Sequence, residues 1–305
     1  MTEVVTMGET MMALRAAGMV RLGATCTTSV AGAESTVGIG LSRLGHHTRW
    51  ASRIGRDEPG QLVLRTLRAE NVDVSTVEYD DAPTGLILFE ERLPDLRRVQ
   101  YYRAGSAGSR LNTADATAAL TGGAQLLHLT GITPALGAQP RAAVEAAVRH
   151  AHASRVTVSF DINFRSRLWD ADDAAAVLAP LARQAHLVIG SADELELVGG
   201  AQQLLAAGVG EVVTKLGTHG ASTVTAEEQY SAPGHRVPVV DSVGAGDAFT
   251  AGYLSAFLDG ADMPNRLARG NACGAYAITT VGDWEGLPTR AELDLLNVNE
   301  GTTLR

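Results

Sequence analysis

The sequence predicts an α/β fold: a doubly wound, mainly parallel sheet with helices on both faces, and a small β lid over it. Three observations lead there. Short apolar runs rich in β-branched residues alternate with longer segments of helical periodicity, the rhythm of βαβ units. A chain of 305 residues that is 45% hydrophobic can bury one large core, and with no internal repeat or low-complexity tract residues 1–305 are expected to form a single domain. Two segments, about 14–31 and 84–103, break the alternation and lack helical periodicity, so they are read as the lid.

The strand candidates follow in order: Val4 to Met7, Arg49 to Ile54, Leu126 to Leu129, Val156 to Phe160, Leu187 to Ile189 and Val212 to Lys215. Between them, Pro140 to Ala153 and Asp172 to Gln184 have helical spacing. A further helix should follow "GRDE", with Pro59 in its first turn and an end near Glu70. Within 84–103 the pattern is two strands joined by a turn around Pro94 and Asp95. The closing "NEGTTLR" reads as a frayed tail.

Composition excludes several functions. No run approaches the roughly 18 apolar residues of a membrane span, and the first twenty residues hold Glu3, Glu9 and Arg15, so a cytoplasmic location is the default expectation. A net charge of −9 argues against a nucleic-acid surface. Cys26 and Cys273 are too few for a disulfide framework and read as small buried residues. The histidine pairs His46/His47 and His150/His152 share no helix face, make no metal site and read as surface residues. Lys215 is the only lysine among 25 basic residues, and it lies between Thr214 and Leu216, so there is no Gly-Lys-Ser/Thr phosphate loop. The protein-kinase signatures are missing, and "EVVTMGE" is not followed by a dinucleotide-binding glycine pattern.

One stretch points to chemistry. In "DSVGAGDAF", Gly244, Ala245 and Gly246 let the backbone turn tightly and aim successive N–H groups at one point, and a strong helix pattern runs from Ala248 to Leu258. Such a turn at a helix N-terminus is an anion site. Asp247 in the first turn would be repelled by a phosphate, so either it acts on a neighbouring hydroxyl or it merely caps the helix.

"DSVGAGDAFTAGYL" resembles the C-terminal signature of the ribokinase-like (PfkB) family of sugar kinases, and "AGAESTVGIGLSRLG" its N-terminal one. "GRDEPG", "DINFR", "SADELELVG" and "KLGTHGA" lie between them in the family's order, so the resemblance spans nearly the whole chain. It implies ATP as phosphoryl donor, Mg²⁺ as divalent ion and the ribokinase-like fold with its lid. It also leaves open a monovalent cation near the Asp241 loop and a homo-oligomer.

Within the family, "YYRAGSAGSRL", "LTGITPAL" and "FDINFRSRLW" resemble the 2-keto-3-deoxygluconate kinase branch, which phosphorylates the primary hydroxyl of a six-carbon sugar acid. Arginine's planar fork suits a carboxylate, and Arg103, on the face of Tyr101, and Arg165, past the end of a strand, are the candidates; a solvated surface charge is the plain alternative for each. The resemblance adds Gly32, Thr36 and Ile87 to the substrate side. Thr36 stands where the branch has asparagine, and Ile87 where it commonly has tyrosine. An apolar segment around Ala13 replaces the aspartate with which ribokinase-type members bind neutral sugars.

For ATP the resemblance implies Lys215, Gly217 and Gly220 at phosphate and ribose, Ser191 and Glu194 in place of an Asn-x-x-Glu motif that organises Mg²⁺ through water, and Asn271 beside adenine. The implied reaction is in-line phosphoryl transfer: Asp247 takes the proton of the attacking hydroxyl while Gly244, Ala245 and Gly246 hold the transferring group. An aspartate of ordinary pKa is a weak base, so positioning should dominate. Two rivals remain, a neutral-sugar or nucleoside kinase of the same family and a non-catalytic sugar-acid binding protein.

Overall fold

The computed structural model describes residues 2–93 and 96–297. The turn expected at Pro94 and Asp95 and the tail from Asn299 lie outside the described residues. From the N-terminus the elements are β1 (Val4–Met7), β2 (Met11–Ala16), β3 (Cys26–Ala31), helix α1 (Ala33–Arg43), β4 (Thr48–Ala51), β5 (Arg53–Gly55), α2 (Glu58–Ala69), β6 (Glu78–Asp80), β7 (Leu86–Leu93) and β8 (Leu96–Tyr102). The central part holds α3 (Thr113–Leu120), β9 (Leu126–Thr130), α4 (Ile132–Ala135), α5 (Ala138–Ala153), β10 (Thr157–Asp161), α6 (Ala171–Ala182) and β11 (Leu187–Ser191). It continues with α7 (Ala192–Leu197), α8 (Gly200–Ala206), β12 (Glu211–Lys215), β13 (Ala221–Val224), β14 (Gln229–Ala232), α9 (Ala245–Leu258) and α10 (Met263–Ala277).

An eight-stranded sheet runs β14-β13-β12-β11-β10-β9-β1-β4. The strands from β12 to β4 are parallel; β13 and β14 are antiparallel. Side chains alternate between its faces as strand geometry requires. Val5, Leu127, Leu129, Val158, Phe160 and Val212 face a core shared with α3, α5, α6 and α8. Val4, Leu126, Leu187, Ile189 and Val213 face the opposite core, with α1, α9 and α10.

A second, four-stranded sheet runs β3-β2-β7-β8, and its apolar face is built from Met11, Ala13, Ala31, Ile87 and Phe89. Its first strand begins at Met11, three residues before the expected start, because Met11 and Ala13 already point into that core. The expected strand from Arg49 to Ile54 divides at Ser52: β4 pairs with β1, while β5 pairs with β6 in a separate ribbon. Arg53 there is drawn away by Asp115 at 2.7 Å and Asp80 at 3.2 Å.

Two surface-and-core expectations are corrected. Cys26 is exposed on β3, whereas Cys273 is buried. His46 is buried, with Nε2 3.0 Å from Ser255 Oγ, and Glu3 and Asp259 lie within 4 Å; its imidazole is held in place by these partners rather than by water.

Helix α9 carries the anion turn, and its seat is set by a close approach to α1: a Cβ built on Gly40 would lie 2.6 Å from Ala251 Cβ. Glycine to alanine inside a helix normally gains about 1 kcal/mol. Overpacking costs about 1–3 kcal/mol. Gly40→Ala should therefore be net destabilising by up to about 2 kcal/mol, read as a lower urea midpoint at unchanged slope; a raised midpoint would mean that α9 shifts freely.

Candidate active site

A cavity of about 740 Å³ opens between the small sheet and the C-terminal ends of the main strands, where open α/β sheets bind ligands. Its wall includes Gly32, Ile87, Tyr101, Arg103, Arg165, Gly244 and Asp247. Thr36 is not on that wall: it is buried in α1, and its Oγ1 has no hydrogen-bond partner. Glu34, two residues earlier and so on the other side of the helix, reaches the cavity instead and accepts from Thr130 Oγ1 at 2.7 Å and Thr133 Oγ1 at 2.9 Å. Burial pushes its carboxyl up to about 7.

The anion turn is built as follows. Gly244 has φ +76°, a left-handed conformation that favours glycine, and caps α9, which starts at Ala245 rather than Ala248. Any Cβ on Gly244 would also strike the backbone of Asp283. Asp247 lies in the first turn of α9 and opens on the cavity. Its Oδ1 accepts from Asn163 Nδ2 at 3.2 Å. Desolvation and the nearby Asp161 raise its pKa to about 6, while Lys215, Arg165 and Asn163 pull it down. The aspartate is therefore a better base than an ordinary one, which corrects the weak base expected from sequence.

Asn163 was not singled out from sequence, although it stands inside "DINFR". It is buried with φ +41°, a conformation asparagine tolerates better than most side chains, and that bend turns its amide toward Asp247. Two further cavity residues were missed. Glu9 accepts from Arg103 Nε at 2.7 Å and from Ser106 Oγ, and Asp283 accepts from Arg15 Nη2 at 2.6 Å. Arg103 thus enters the cavity already paired. Arg165 and its neighbour Arg167 form no ion pair among the described residues, and Arg167 Nη1 donates to Val99 O of β8.

The residues implied for nucleotide sit outside this cavity. Ser191 and Lys215 are register partners at the ends of β11 and β12. Ser191 and Glu194 form a capping box on α7, and both carboxylate oxygens of Glu194 accept backbone N–H groups, from Phe164 and Ser191. Asn271 donates to Ala232 O and Pro233 O, a satisfied structural amide; those same residues crowd Gly220, whose φ of +93° leaves no room for a side chain. Gly217 also has positive φ, +57°.

Lys215 does not point out at a ligand. Its Nζ donates to Asp161 Oδ2 at 2.6 Å, and Thr250 Oγ1 reaches the same oxygen at 3.1 Å. Burial opposes its charge, but Asp161, Glu194 and Asp247 together hold its pKa above the ordinary lysine value. Among the described residues no group of three or more His, Cys, Asp or Glu side chains is arranged to hold a metal ion. The buried Oδ1 of Asp161 has no partner, so an acceptor remains for a ligand's hydrated ion.

A glycine turn at a helix N-terminus beside an aspartate, at the strand ends of an open α/β sheet, suits transfer of a phosphoryl group to a hydroxyl. The chain belongs to the pfkB family of carbohydrate kinases, whose pattern matches residues 1–290, and is an ATP-dependent kinase of that family. It is similar to 2-dehydro-3-deoxygluconokinase of Bacillus subtilis (strain 168), 39% identical over 88% of this chain and 86% of that one. It is 33% identical to 2-dehydro-3-deoxygluconokinase of Thermoproteus tenax over 97% of this chain and 94% of the relative. Among solved structures, a PfkB protein from Polaromonas sp. JS666 superposes with a TM-score of 0.86 at 34% identity, covering 97% and 99% of the two chains.

Asp161 is buried and Lys215 largely so, and removing the lysine therefore strands a buried charge, at a cost of about 3–5 kcal/mol. Lys215→Ala should lower stability by about that amount, and adding Asp161→Asn should restore part of it. Denaturation of the single and double variants checks this; additive losses would deny the coupling.

Proposed function

We propose that the protein phosphorylates the primary hydroxyl of a six-carbon 2-keto-3-deoxy sugar acid, 2-keto-3-deoxygluconate before others, at the expense of ATP. The observation that carries it is the cavity itself: Asp247 stands there beside the anion turn, and Arg165 and Arg167 bring positive charge that forms no ion pair among the described residues. Two similar relatives, those of Bacillus subtilis (strain 168) and Thermoproteus tenax, carry the name of that activity. Gly32, Ile87 and Tyr101 would line the sugar, and Arg165, with the Glu9-paired Arg103, its carboxylate.

In the proposed mechanism, Asp247 accepts the hydroxyl proton, and Asn163 holds the receiving carboxylate in line. The backbone N–H groups of Ala245, Gly246 and Asp247 stabilise the transferring phosphoryl group. Ser191, Lys215, Gly217 and Gly220 would form the nucleotide side, with Asn271 bracing it from behind. Asp161 and Glu194 would hold a magnesium ion through water, and the ion would supply positive charge against the negative charge of the triphosphate. The small sheet, residues 11–31 and 86–102, would act as lid to exclude water. A monovalent cation near Asp241, self-association and a cytoplasmic location complete the proposal.

An ADP-release assay with a panel of sugar acids and neutral sugars tests the substrate class. Turnover confined to ribose, fructose or adenosine would sink the acid reading, and ligand binding without turnover would make the protein a binding module. Asp247→Asn should lower turnover on the order of 10²- to 10⁴-fold with ATP affinity nearly unchanged. Because its pKa is raised to about 6, the base works ionised above that pH, and kcat/KM should fall as pH drops through about 6. A profile flat down to pH 5 would remove Asp247 as the base. Arg165→Ala should weaken sugar-acid binding by about 1.5–3 kcal/mol, and equal loss for the carboxyl-reduced analogue would show that Arg165 does not read the acid.

A further inference from the structure

The sequence draws no attention to Arg15, one arginine among many on a strand of the small sheet. Its guanidinium leaves that sheet. Nη2 donates to Asp283 Oδ1 at 2.6 Å, and Nη1 lies 3.5 Å from Asp241 Oδ2. Its Cζ is 4.0 Å from the centre of the Phe89 ring, and its buried Nε has no partner, so the guanidinium is held by the two carboxylates and the ring.

Both aspartates touch the transfer turn. Asp241 Oδ1 accepts from Val243 N at 3.1 Å and its Oδ2 from Gly282 N at 3.2 Å, so it ties the start of the turn to the 282 loop. The backbone of Asp283 packs against Gly244, and its side chain lines the cavity. Val243, between them, packs on the apolar face of the small sheet. The neighbouring β3 adds Ser29, which donates to Glu285.

We infer that Arg15 is a positioning residue for phosphoryl transfer: carried by the small sheet, it holds Asp241 and Asp283 against the turn from Val243 to Asp247, so the turn is set only when that sheet is docked. The inference rests on the reading of Asp247 and its turn as the transfer site. Its consequence is economical: bound ATP meets an incomplete anion turn until the sheet that shuts out water is in place.

Asp283 supplies a readout that a merely structural role would not move. Burial raises its carboxyl to about 7; Arg15 pulls it down, and Asp247, Glu285 and Asp241, which face it, push it up. Without Arg15 the carboxyl should protonate at higher pH still, since an opposite charge at this distance is worth about one pKa unit or more.

The test is Arg15→Met, which keeps the stem against Phe89, with Arg15→Lys as a second variant that keeps a charge. In steady-state assays with ATP and 2-keto-3-deoxygluconate, Arg15→Met should lose on the order of 10- to 100-fold in kcat, the worth of a charged hydrogen bond, with KM for ATP within about twofold. Its pH profile should gain a second acid limb above the one that Asp247 sets, as Asp283 protonates, and millimolar guanidinium should restore part of kcat. Arg15→Lys should fall between the two without the new limb, and it carries the same readouts if the Met variant does not fold. Undiminished kcat in either variant, or a loss equal at every pH and untouched by guanidinium, overturns the inference while the wild type still turns over. A wild type that phosphorylates no sugar acid removes the functional reading, and the inference with it.

Discussion

Crowded negative charge is the constraint on which the site depends. Glu34, Asp161, Asp241, Asp247 and Asp283 gather around the N-terminus of α9, four of them less than a tenth exposed. Like charges this close cannot all be ionised in a poorly solvated site at no cost. The protein meets the cost in three ways. Lys215 takes Asp161, Arg15 takes Asp283 and approaches Asp241, and burial first, with the neighbouring carboxylates behind it, raises the carboxyls of Glu34 to about 7 and of Asp247 to about 6. The basicity of Asp247 is thus set by its burial and then by its neighbours, and a change in their charge retunes it.

Topology explains why these groups meet. Parallel strands end at one edge of the sheet, so Asp161 on β10 and Lys215 on β12 arrive on the same side although they lie 54 residues apart in sequence. Helix α9 points its N-terminus at that edge, where its dipole favours anions, and Gly40 lets it settle against α1 at that depth. The small sheet then closes the other side of the cavity and brings Arg15 and Arg103 with it.

Much of this was legible in the sequence, and what escaped did so for physical reasons. The strands of the parallel sheet showed as apolar runs because both their faces are buried. The glycine turn before Asp247 was legible because backbone conformation leaves a mark in residue type. Pairings between distant charges leave no such mark. Nothing in "GETMMALR" says that Glu9 will neutralise Arg103 or that Arg15 will reach Asp283, and nothing around "KLGTHG" says that Lys215 will turn inward to Asp161. His46 likewise looked like a surface histidine because its partners, Ser255 and Asp259, come from more than 200 residues away.

In the proposed reaction, the seven residues from Asp161 to Arg167 would make acid recognition and transfer one event. Asp161 binds Lys215, Asn163 binds Asp247, the N–H of Phe164 binds Glu194, Arg165 faces the cavity, and Arg167 donates to the backbone of β8 in the small sheet. The left-handed turn at Asn163 lets so short a segment change direction between these partners. A carboxylate drawn to Arg165 would therefore pull on the peptide that orients Asp247, and on the link to the small sheet, in the same movement. A neutral sugar of equal size would fill the cavity without exerting that pull. Discrimination between the two would then fall on turnover as well as on binding, since the interaction is strongest when the base and the small sheet are both in place.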